Sequence, residues 1–304
     1  MNSYIISGSL VALTLLFAPI QASNQVPGPL DTKAIEQAIG KPGELKDDVY
    51  KVSFPRKDLS VTLKGVRLKP GFALGTWMAF KQAGNEVVLD GDLVLTEEEI
   101  GPVLGKFTQK GIQVSALHNH LIGETPRLMF LHIEGIGDAA NMARQLKEAL
   151  NLTGTPMGPP TAKPLGAAMR TTGEEADFDA ELIQSLLGQK GRIKEGVLQV
   201  SVPRPEPIKM SGAILPPGMG MATALNFQSG GGTKVAATGD FVMMREDVDR
   251  VSKALTEHGV LITALHNHLV HGSPDLYFMH FWVNDSADKV AKGLRAGLDA
   301  MKQG

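Results

Sequence analysis

The feature that most constrains this fold is an internal repeat. The hexapeptide Ala-Leu-His-Asn-His-Leu occurs at 116–121 and recurs unchanged at 264–269, an offset of 148 residues. Such a repeat means that one structural unit is used more than once, so the chain is interpreted as two copies of one domain. The same offset relates further pairs: Gly40 and Gly188, Arg56 and Arg204, Asp92 and Asp240, Pro126 and Pro274, and His132 and His280.

The repeat sets the predicted domain boundaries. Repeat 1 is expected at 31–151 and repeat 2 at 179–302. The segment 152–178 between them is rich in Pro, Gly and Thr, which is typical of a surface linker. Each copy is long enough to bury a core of its own.

The N-terminus is predicted to be a signal peptide over 1–22. Residues 5–20 are almost wholly apolar, and the small residues Ala22 and Ser23 suit a cleavage site. The run is shorter than the roughly 20 residues that a membrane-spanning helix needs, and it contains Pro19. We therefore expect an exported protein, periplasmic or secreted, that is free of the membrane after cleavage.

Composition limits the kinds of partner and of reactive site that this chain can have. The net charge is −2, which argues against a nucleic-acid partner. Cysteine is absent, so disulfides, thiolate catalysis and cysteine-ligated zinc are all excluded. A metal ion would have to be held by His, Asp or Glu side chains.

Hydrophobic patterning predicts an α+β sandwich in each copy, with helices on one face of a mostly antiparallel sheet. Strand segments that are apolar on both faces suggest that the copies pack together as an internal pseudo-dimer. A capping box is expected at Thr96–Glu99, where a helix would begin and run to Lys110. The expected helices are 33–39, 96–110, 138–150 and 180–187, and the expected strands of repeat 1 are 48–54, 59–68, 74–82, 86–95, 112–121 and 128–134.

Strand alternation places the histidines together. Side chains two apart share a face, so Ile112, Val114, Ala116, His118 and His120 are expected on one face. A hairpin turning near residue 125 would set His120 opposite Phe130 and His118 opposite His132, with Cβ atoms about 5 Å apart. Repeat 2 would reproduce this group with His266, His268 and His280.

Three neutral imidazoles in one patch favour a divalent metal, and zinc above all. A cation accepts one lone pair from each ring, and the other ring N–H is left to a neighbouring acceptor. The metal ligands expected are thus His118, His120 and His132, and His266, His268 and His280. Packing without a metal, or a polar pocket that uses the rings as donors, are the alternatives.

Other polar residues that recur in both repeats are further candidates for the site. Asp92 and Asp240 lie in strands, where Asp is disfavoured, and either could be a further ligand, a supporting carboxylate or a general base. A structural bulge is the competing explanation. Arg56 and Arg204 could hold an anionic group or pair with those aspartates, and a structural role is preferred.

The sequence also resembles a known family. Ala-Leu-His-Asn-His-Leu, then Pro126, Phe130-Leu131-His132 and a closing amphipathic helix are similar to the LppY/LpqO family of exported bacterial proteins. The resemblance covers both repeats. It implies a tandem domain of unknown function, some of whose members are labelled peptidoglycan-binding.

These observations predict an exported protein with a three-histidine divalent-metal site in each repeat. Three protein ligands leave one position of a tetrahedral zinc ion open for water, so metal-dependent hydrolysis is a natural extension. The alternatives are a non-catalytic envelope module that binds a cell-wall fragment or small ligand, and a metal carrier.

Overall fold

Two similar α+β halves make up the computed structural model, which describes residues 28–108, 112–158 and 176–301. Each half contains a six-stranded antiparallel sheet with three helices. The sequence-based fold class is therefore confirmed. The predicted signal peptide at 1–22, most of the linker (159–175) and the expected helix end at Lys110 lie outside the described residues. No helix in the described part of the chain is long and apolar enough to cross a membrane.

The elements of repeat 1 begin with a helix that ends at Gly40. This glycine has φ +84°, a left-handed conformation that suits a helix C-terminus. The expected capping residue Glu99 also acts as predicted, because its Oε2 accepts a hydrogen bond from the Thr96 N–H at 2.9 Å. The elements are α1 (Thr32–Ile39), β1 (Glu44–Lys46), β2 (Val49–Pro55), β3 (Thr62–Leu63), β4 (Val66–Arg67), β5 (Gly75–Ala83), β6 (Glu86–Thr96), α2 (Glu97–Thr108), β7 (Gln113–His118), β8 (Glu124–Thr125), β9 (Leu128–Gly137) and α3 (Ala139–Leu150).

Repeat 2 has the same order, with two added 3-10 turns at Pro217–Met219 and Arg245–Asp247. Its first helix ends at Gly188, the counterpart of Gly40, again with positive φ. The elements are α4 (Ala180–Leu187), β10 (Gly191–Lys194), β11 (Val197–Pro203), β12 (Ile208–Met210), β13 (Ala213–Leu215), β14 (Ala222–Ser229), β15 (Lys234–Met243), α5 (Val248–Glu257), β16 (Leu261–His266), β17 (Gly272–Ser273), β18 (Tyr277–Ser286) and α6 (Ala287–Met301).

Both large sheets have the same topology. The strand order is β1-β2-β5-β6-β9-β7 in repeat 1 and β10-β11-β14-β15-β18-β16 in repeat 2. The last strand in each order, β7 or β16, is a sheet edge and carries the first histidine of the repeat. The central pair β6 and β9 is long and fully antiparallel, with Asp92 opposite His132.

One face of each sheet packs on its own helices. In repeat 1 this core contains residues such as Leu89, Leu131 and Ile133 from the sheet and Leu146 from α3. Repeat 2 has an equivalent core built from β15, β18, α5 and α6. Each half therefore buries a hydrophobic core that contains no residue of the other half.

The opposite faces of the two sheets pack against each other. Val94 and Phe130 of repeat 1 share a buried cluster with Ala236 and Trp282 of repeat 2. A second cluster joins Ala79 to residues of repeat 2 in the same way. Strands that are apolar on both faces are thus explained by a helix-sheet-sheet-helix arrangement.

A short arm from each repeat reaches across this interface. The arm of repeat 1 (β3, β4 and the loop to β5) places Phe72 edge-on to Trp282, with ring centroids 6.2 Å apart. The arm of repeat 2 (β12, β13 and the following turn) includes Gly218, whose carbonyl accepts a hydrogen bond from Lys51 at 3.1 Å. The exchange is reciprocal, so each arm covers part of the partner repeat's sheet.

A β-bulge changes the expected face assignment of β7. The pairing with β9 shifts between Val114 and Ala116. Val114 therefore points to the helix face, whereas Ala116 and His118 point to the interface, and the prediction that Ile112 and Val114 share the histidines' face is wrong. The extra residue is Ser115, and β16 has its bulge at the matching place, between Ile262 and Ala264.

Arg56 occupies a buried ion-pair network rather than the histidine site. Its guanidinium contacts Asp58 and Glu99, each at 2.8 Å, and donates to the Val94 carbonyl. Arg204 repeats the pattern with Glu206, Asp247 and Val242. The preferred structural role is therefore observed, although the partners are not Asp92 and Asp240.

Candidate metal centre at the repeat interface

All six predicted histidines meet in one cluster between the two sheets. In the observed pairing Ala116 lies opposite His132 and His118 opposite Phe130, two residues away from the predicted register. His120 follows the end of β7 and stacks on the Phe130 ring, with centroids 3.4 Å apart. The two expected three-histidine sites, one within each repeat, therefore lie side by side across the interface. We call His118, His120, His132, His266, His268 and His280 the histidine cluster.

The cluster has pseudo-twofold symmetry. His118 lies against its own counterpart, His266, with ring centroids 3.6 Å apart. On either side, His120 stacks on His280 at 3.7 Å and His132 stacks on His268 at 3.8 Å. The three closest imidazole pairs thus each join one repeat to the other.

Burial keeps these rings uncharged. It lowers the pKa of all six imidazoles, and for His266 the pKa falls to about 3. Positive charge on neighbouring histidines lowers the pKa further for every member except His118. Protonating several rings together would require burying like charges side by side. At neutral pH each ring therefore offers a lone pair.

Several of those lone pairs have no partner. The Nε2 atoms of His118, His120 and His132 are buried and make no hydrogen bond. In His280 the Nδ1–H donates to the Gly239 carbonyl at 3.1 Å, which leaves the lone pair on its unpartnered Nε2. Unsatisfied buried polar atoms are rare in folded proteins, and a bound ion or an ordered water is a common reason for them.

Two groups of three nitrogens lie close enough to hold one cation each, with ligand atoms within 4.8 Å of one another. The first group is His118, His120 and His132, as predicted. The second crosses the interface and combines His118 with His266 and His280, rather than using the three histidines of repeat 2. The difference arises because the cluster is shared: stacking between repeats brings His118 closer to the second group than the sequence alone indicates.

The predicted aspartates lie beside the cluster. Asp92 Oδ1 is 3.9 Å from His132 Nε2, and Asp240 Oδ1 is 3.8 Å from His280 Nδ1. Burial raises the pKa of Asp92 to about 8 and raises that of Asp240 well above its usual range. Carboxylates next to metal-bound imidazoles orient the ring and increase its basicity. Both Oδ1 atoms are buried and make no hydrogen bond, so Asp92 and Asp240 lie next to the rings without holding them in this way.

Sequence reasoning missed three further polar residues on the repeat 1 side. Lys51, Asp90 and Glu134 lie on the interface face of their strands. Burial raises the pKa of Asp90 and Glu134 and lowers that of Lys51 to about 8. Alternation along β2, β6 and β9 gives the face of each side chain, but the sequence does not show that these strands adjoin the histidine strand.

Asn119 has a structural role. Its side-chain amide donates to the Thr263 carbonyl at 3.0 Å and to the Leu121 carbonyl at 2.9 Å. In return the Thr263 hydroxyl donates to the His120 carbonyl. These bonds attach the His-Asn-His segment of repeat 1 to the bulge of repeat 2, and they fix the histidine cluster across the interface.

The metal-free protein is expected to be most stable near pH 6.5. The cluster histidines stay neutral in the fold, whereas the unfolded chain protonates them below about 6.5, so their contribution is lost as pH falls toward the folded values. Asp90, Asp92 and Asp240 act oppositely, because their raised pKa values favour the fold at low pH and this contribution is lost as pH rises toward 8. Each net proton changes the unfolding free energy by about 1.4 kcal/mol per pH unit.

Denaturant unfolding in the presence of a chelator, between pH 4.5 and 7.5, measures this dependence. Below pH 6.5 the six histidines outnumber the four carboxyl groups with a raised pKa, which are the three aspartates and Glu134, so stability should fall as the solution is acidified. A His266→Gln variant should show a shallower slope there by one proton. A stability that is flat below pH 6.5 would contradict the assignment of neutral buried rings.

Comparisons with known proteins identify a family but no activity. A family model described as Domain of Unknown Function (DUF1259) matches residues 33–152 and 181–300. No curated protein matches the chain.

Among solved structures, the chain is similar to the trimeric bacterial microcompartment shell protein PduB, with 12% identity, 85% of this chain and 89% of that chain covered, and a TM-score of 0.20. It is also similar to the double-ringed trimeric shell protein MSM0271 from the RMM microcompartment, with 11% identity, 73% and 86% coverage, and a TM-score of 0.20. Likeness at this level carries no argument about function.

Proposed function

The chain belongs to the family described as Domain of Unknown Function (DUF1259), in two tandem copies, and we propose that it is a divalent-cation-binding protein whose centre lies between the copies. The observation that carries the proposal is the histidine cluster, in which buried, neutral rings from both repeats hold unpartnered nitrogens within reach of one another. A packing role alone would leave these buried acceptors unsatisfied, which is costly.

One cation per chain is the expected stoichiometry. The two candidate groups share His118, and the Nδ1–H of that ring donates to the Asn119 carbonyl at 3.0 Å. Only its Nε2 remains as a ligand atom, so the two groups cannot both be completed by this ring. Zinc is the cation that we favour, because imidazole nitrogen suits it and the chain has no thiolate that would select a softer metal.

Metal analysis of the purified full-length protein tests the proposal. Wild-type protein reconstituted with zinc and freed of excess metal should retain about one equivalent per chain. His118→Ala should retain almost none, because it removes the ligand that both groups share. His258→Ala is the matched control, since His258 lies exposed at the end of α5 and outside the cluster, and it should bind like the wild type.

The proposal is overturned if wild-type protein retains no metal after reconstitution, or if His118→Ala retains as much as the control.

Hydrolytic chemistry is a finer proposal for the same centre. A three-histidine zinc ion has a fourth position for water, whose pKa the metal lowers to about 7. Asp92, close to His132, is the candidate general base on the repeat 1 side, and Asp240 is its counterpart on the other. A change in the visible spectrum of the cobalt-substituted protein on addition of azide would support an open position, and an unchanged spectrum would favour a carrier or structural centre.

The remaining predictions concern where the protein acts. We propose that the chain is related to the LppY/LpqO proteins, because of the duplicated hexapeptide. We also propose export to the periplasm or medium, because of the apolar run at 5–20. A cell-wall fragment is the partner that this location suggests. The non-catalytic envelope module is the alternative function that remains if the cation test fails.

A further inference from the structure

A row of polar side chains crosses the interface face of the repeat 1 sheet. The register aligns Lys51 with Ala79, Ala79 with Asp90, Asp90 with Glu134, and Glu134 with Gln113, over five adjacent strands. Asp90 and Glu134 are directly opposed, which sets their Cβ atoms about 5 Å apart. Asp92 lies on the same face of β6, two residues beyond Asp90, and next to His132. Three carboxyl groups therefore lead from Glu134 to the histidine cluster.

The outer end of this row opens on a surface pocket of about 290 Å³. Glu134 lines the pocket, where its Oε1 accepts a hydrogen bond from the Val270 N–H at 3.0 Å while Oε2 is buried and unpartnered. At the pocket wall, Gln113 Oε1 and His271 Nε2 are 2.8 Å apart. The other lining residues are Gly135, Ile136, Met210 and Ser211.

The inner part of the row also has unpartnered oxygens. Asp90 Oδ2 and Asp92 Oδ1 are buried and make no hydrogen bond, and His132 Nε2, 3.9 Å from Asp92 Oδ1, is unpartnered as well. Unsatisfied acceptors thus continue from the pocket wall to the nitrogen of a proposed ligand. Carboxylate oxygens bind divalent cations and lower the cost of removing them from water.

Repeat 2 has no such row. The offset of the repeat puts Thr238 in place of Asp90 and Trp282 in place of Glu134. Trp282 is 3% exposed and packs against Phe72 from the arm of repeat 1. The corresponding side of the cluster is therefore closed by an aromatic pair.

We infer that Glu134, Asp90 and Asp92 form a one-sided entry route, by which a divalent cation passes from the surface pocket to the histidine cluster. The inference rests on the proposed cation centre and adds that the two repeats differ in role: repeat 1 admits the cation, and repeat 2 closes the opposite side. A carboxyl group gives up its proton to a divalent cation that binds it, so each of the three offers oxygen ligands between the pocket and the cluster.

Stopped-flow mixing of the metal-free full-length protein with Co²⁺ tests this route, because the visible absorbance of bound cobalt reports coordination directly. Glu134→Gln and Asp90→Asn change charge with little change in size. Each should slow the appearance of the absorbance at least about tenfold, while the final absorbance stays at the wild-type level. Thr238→Val, at the position in repeat 2 that matches Asp90, is the control and should bind at the wild-type rate.

Cobalt uptake by Glu134→Gln at the wild-type rate would overturn the route. Because Glu134 lies at the pocket, this variant is a sufficient test even if Asp90→Asn proves unstable. A proportional loss of final absorbance would also overturn it, since the residue would then be a ligand. Equal slowing by Thr238→Val would overturn the one-sidedness. Absence of any cobalt signal in the wild type would instead refute the cation centre itself, so the two failures are distinguishable.

Discussion

Replacement of Arg56 by methionine is expected to lower the free energy of unfolding by about 3–5 kcal/mol. Methionine fills much of the space of the arginine stem, but it leaves Asp58, Glu99 and the Val94 carbonyl without the guanidinium that pairs with all three. Removing one partner of a buried ion pair strands the other charge, which costs more than the pair contributes. Denaturant unfolding of the full chain, followed by circular dichroism, measures the loss.

Arg204→Met is the matched control and should cost distinctly less. Its partner Asp247 keeps a second cation, Arg250, at 3.0 Å. Its other partner, Glu206, has a side chain that is 41% exposed and is compensated by water. Equal losses for the two variants would contradict the view that the Arg56 network is held by a single buried cation.

A saturating divalent cation is expected to stabilise the protein by about 4 kcal/mol when its free concentration is 1,000 times the dissociation constant. Either candidate group brings together residues that are distant in the chain, so the cation binds the folded protein and not the unfolded chain. The comparison is the zinc-dependent shift in unfolding free energy, with and without chelator. His118→Ala should abolish the shift, because both candidate groups contain His118.

His268→Ala provides the control from inside the cluster. His268 is buried and stacks on His132 and Phe278, but it belongs to neither candidate group. The variant should be less stable in the absence of metal, since a packed ring is lost, yet it should keep the zinc-dependent shift. If His268→Ala and His118→Ala lost the shift equally, the ligand set would have to be redrawn.

The α+β class of each repeat could be predicted from sequence because it depends on local patterns. Asp31, Asp138 and Asp179 cap helices through their side chains, and Gly40 and Gly188 end two of them, so those boundaries follow from residue chemistry. Because the chain repeats the domain, each of these inferences applies to both copies. The arms were expected in part as a strand over 59–68, but only short segments of it pair, at Thr62–Leu63 and Val66–Arg67.

The histidine residues could be predicted, but their arrangement could not. Strict alternation of side chains between the two faces of β7 fails at the bulge between Val114 and Ala116. The sequence there contains no glycine that would indicate a bulge. The pairing of His118 with His266 depends on how two sheets face each other across the interface, which is a property of tertiary packing. Asp90 and Lys51 were overlooked for the same reason, since their strands had no assigned partner surface.

Both repeats contribute residues to the histidine cluster, and this has an evolutionary consequence. A single copy of this domain could build such a centre only as a homodimer, and both of its faces would then be identical, because every substitution would appear twice. Joining two copies in one gene lifts that constraint. Asp90 and Glu134 on one side, against Thr238 and Trp282 on the other, are the divergence that fusion permits. Selection can thus change the residues around the centre in one half of the chain. The histidines that both halves share keep the geometry inherited from a single ancestral domain.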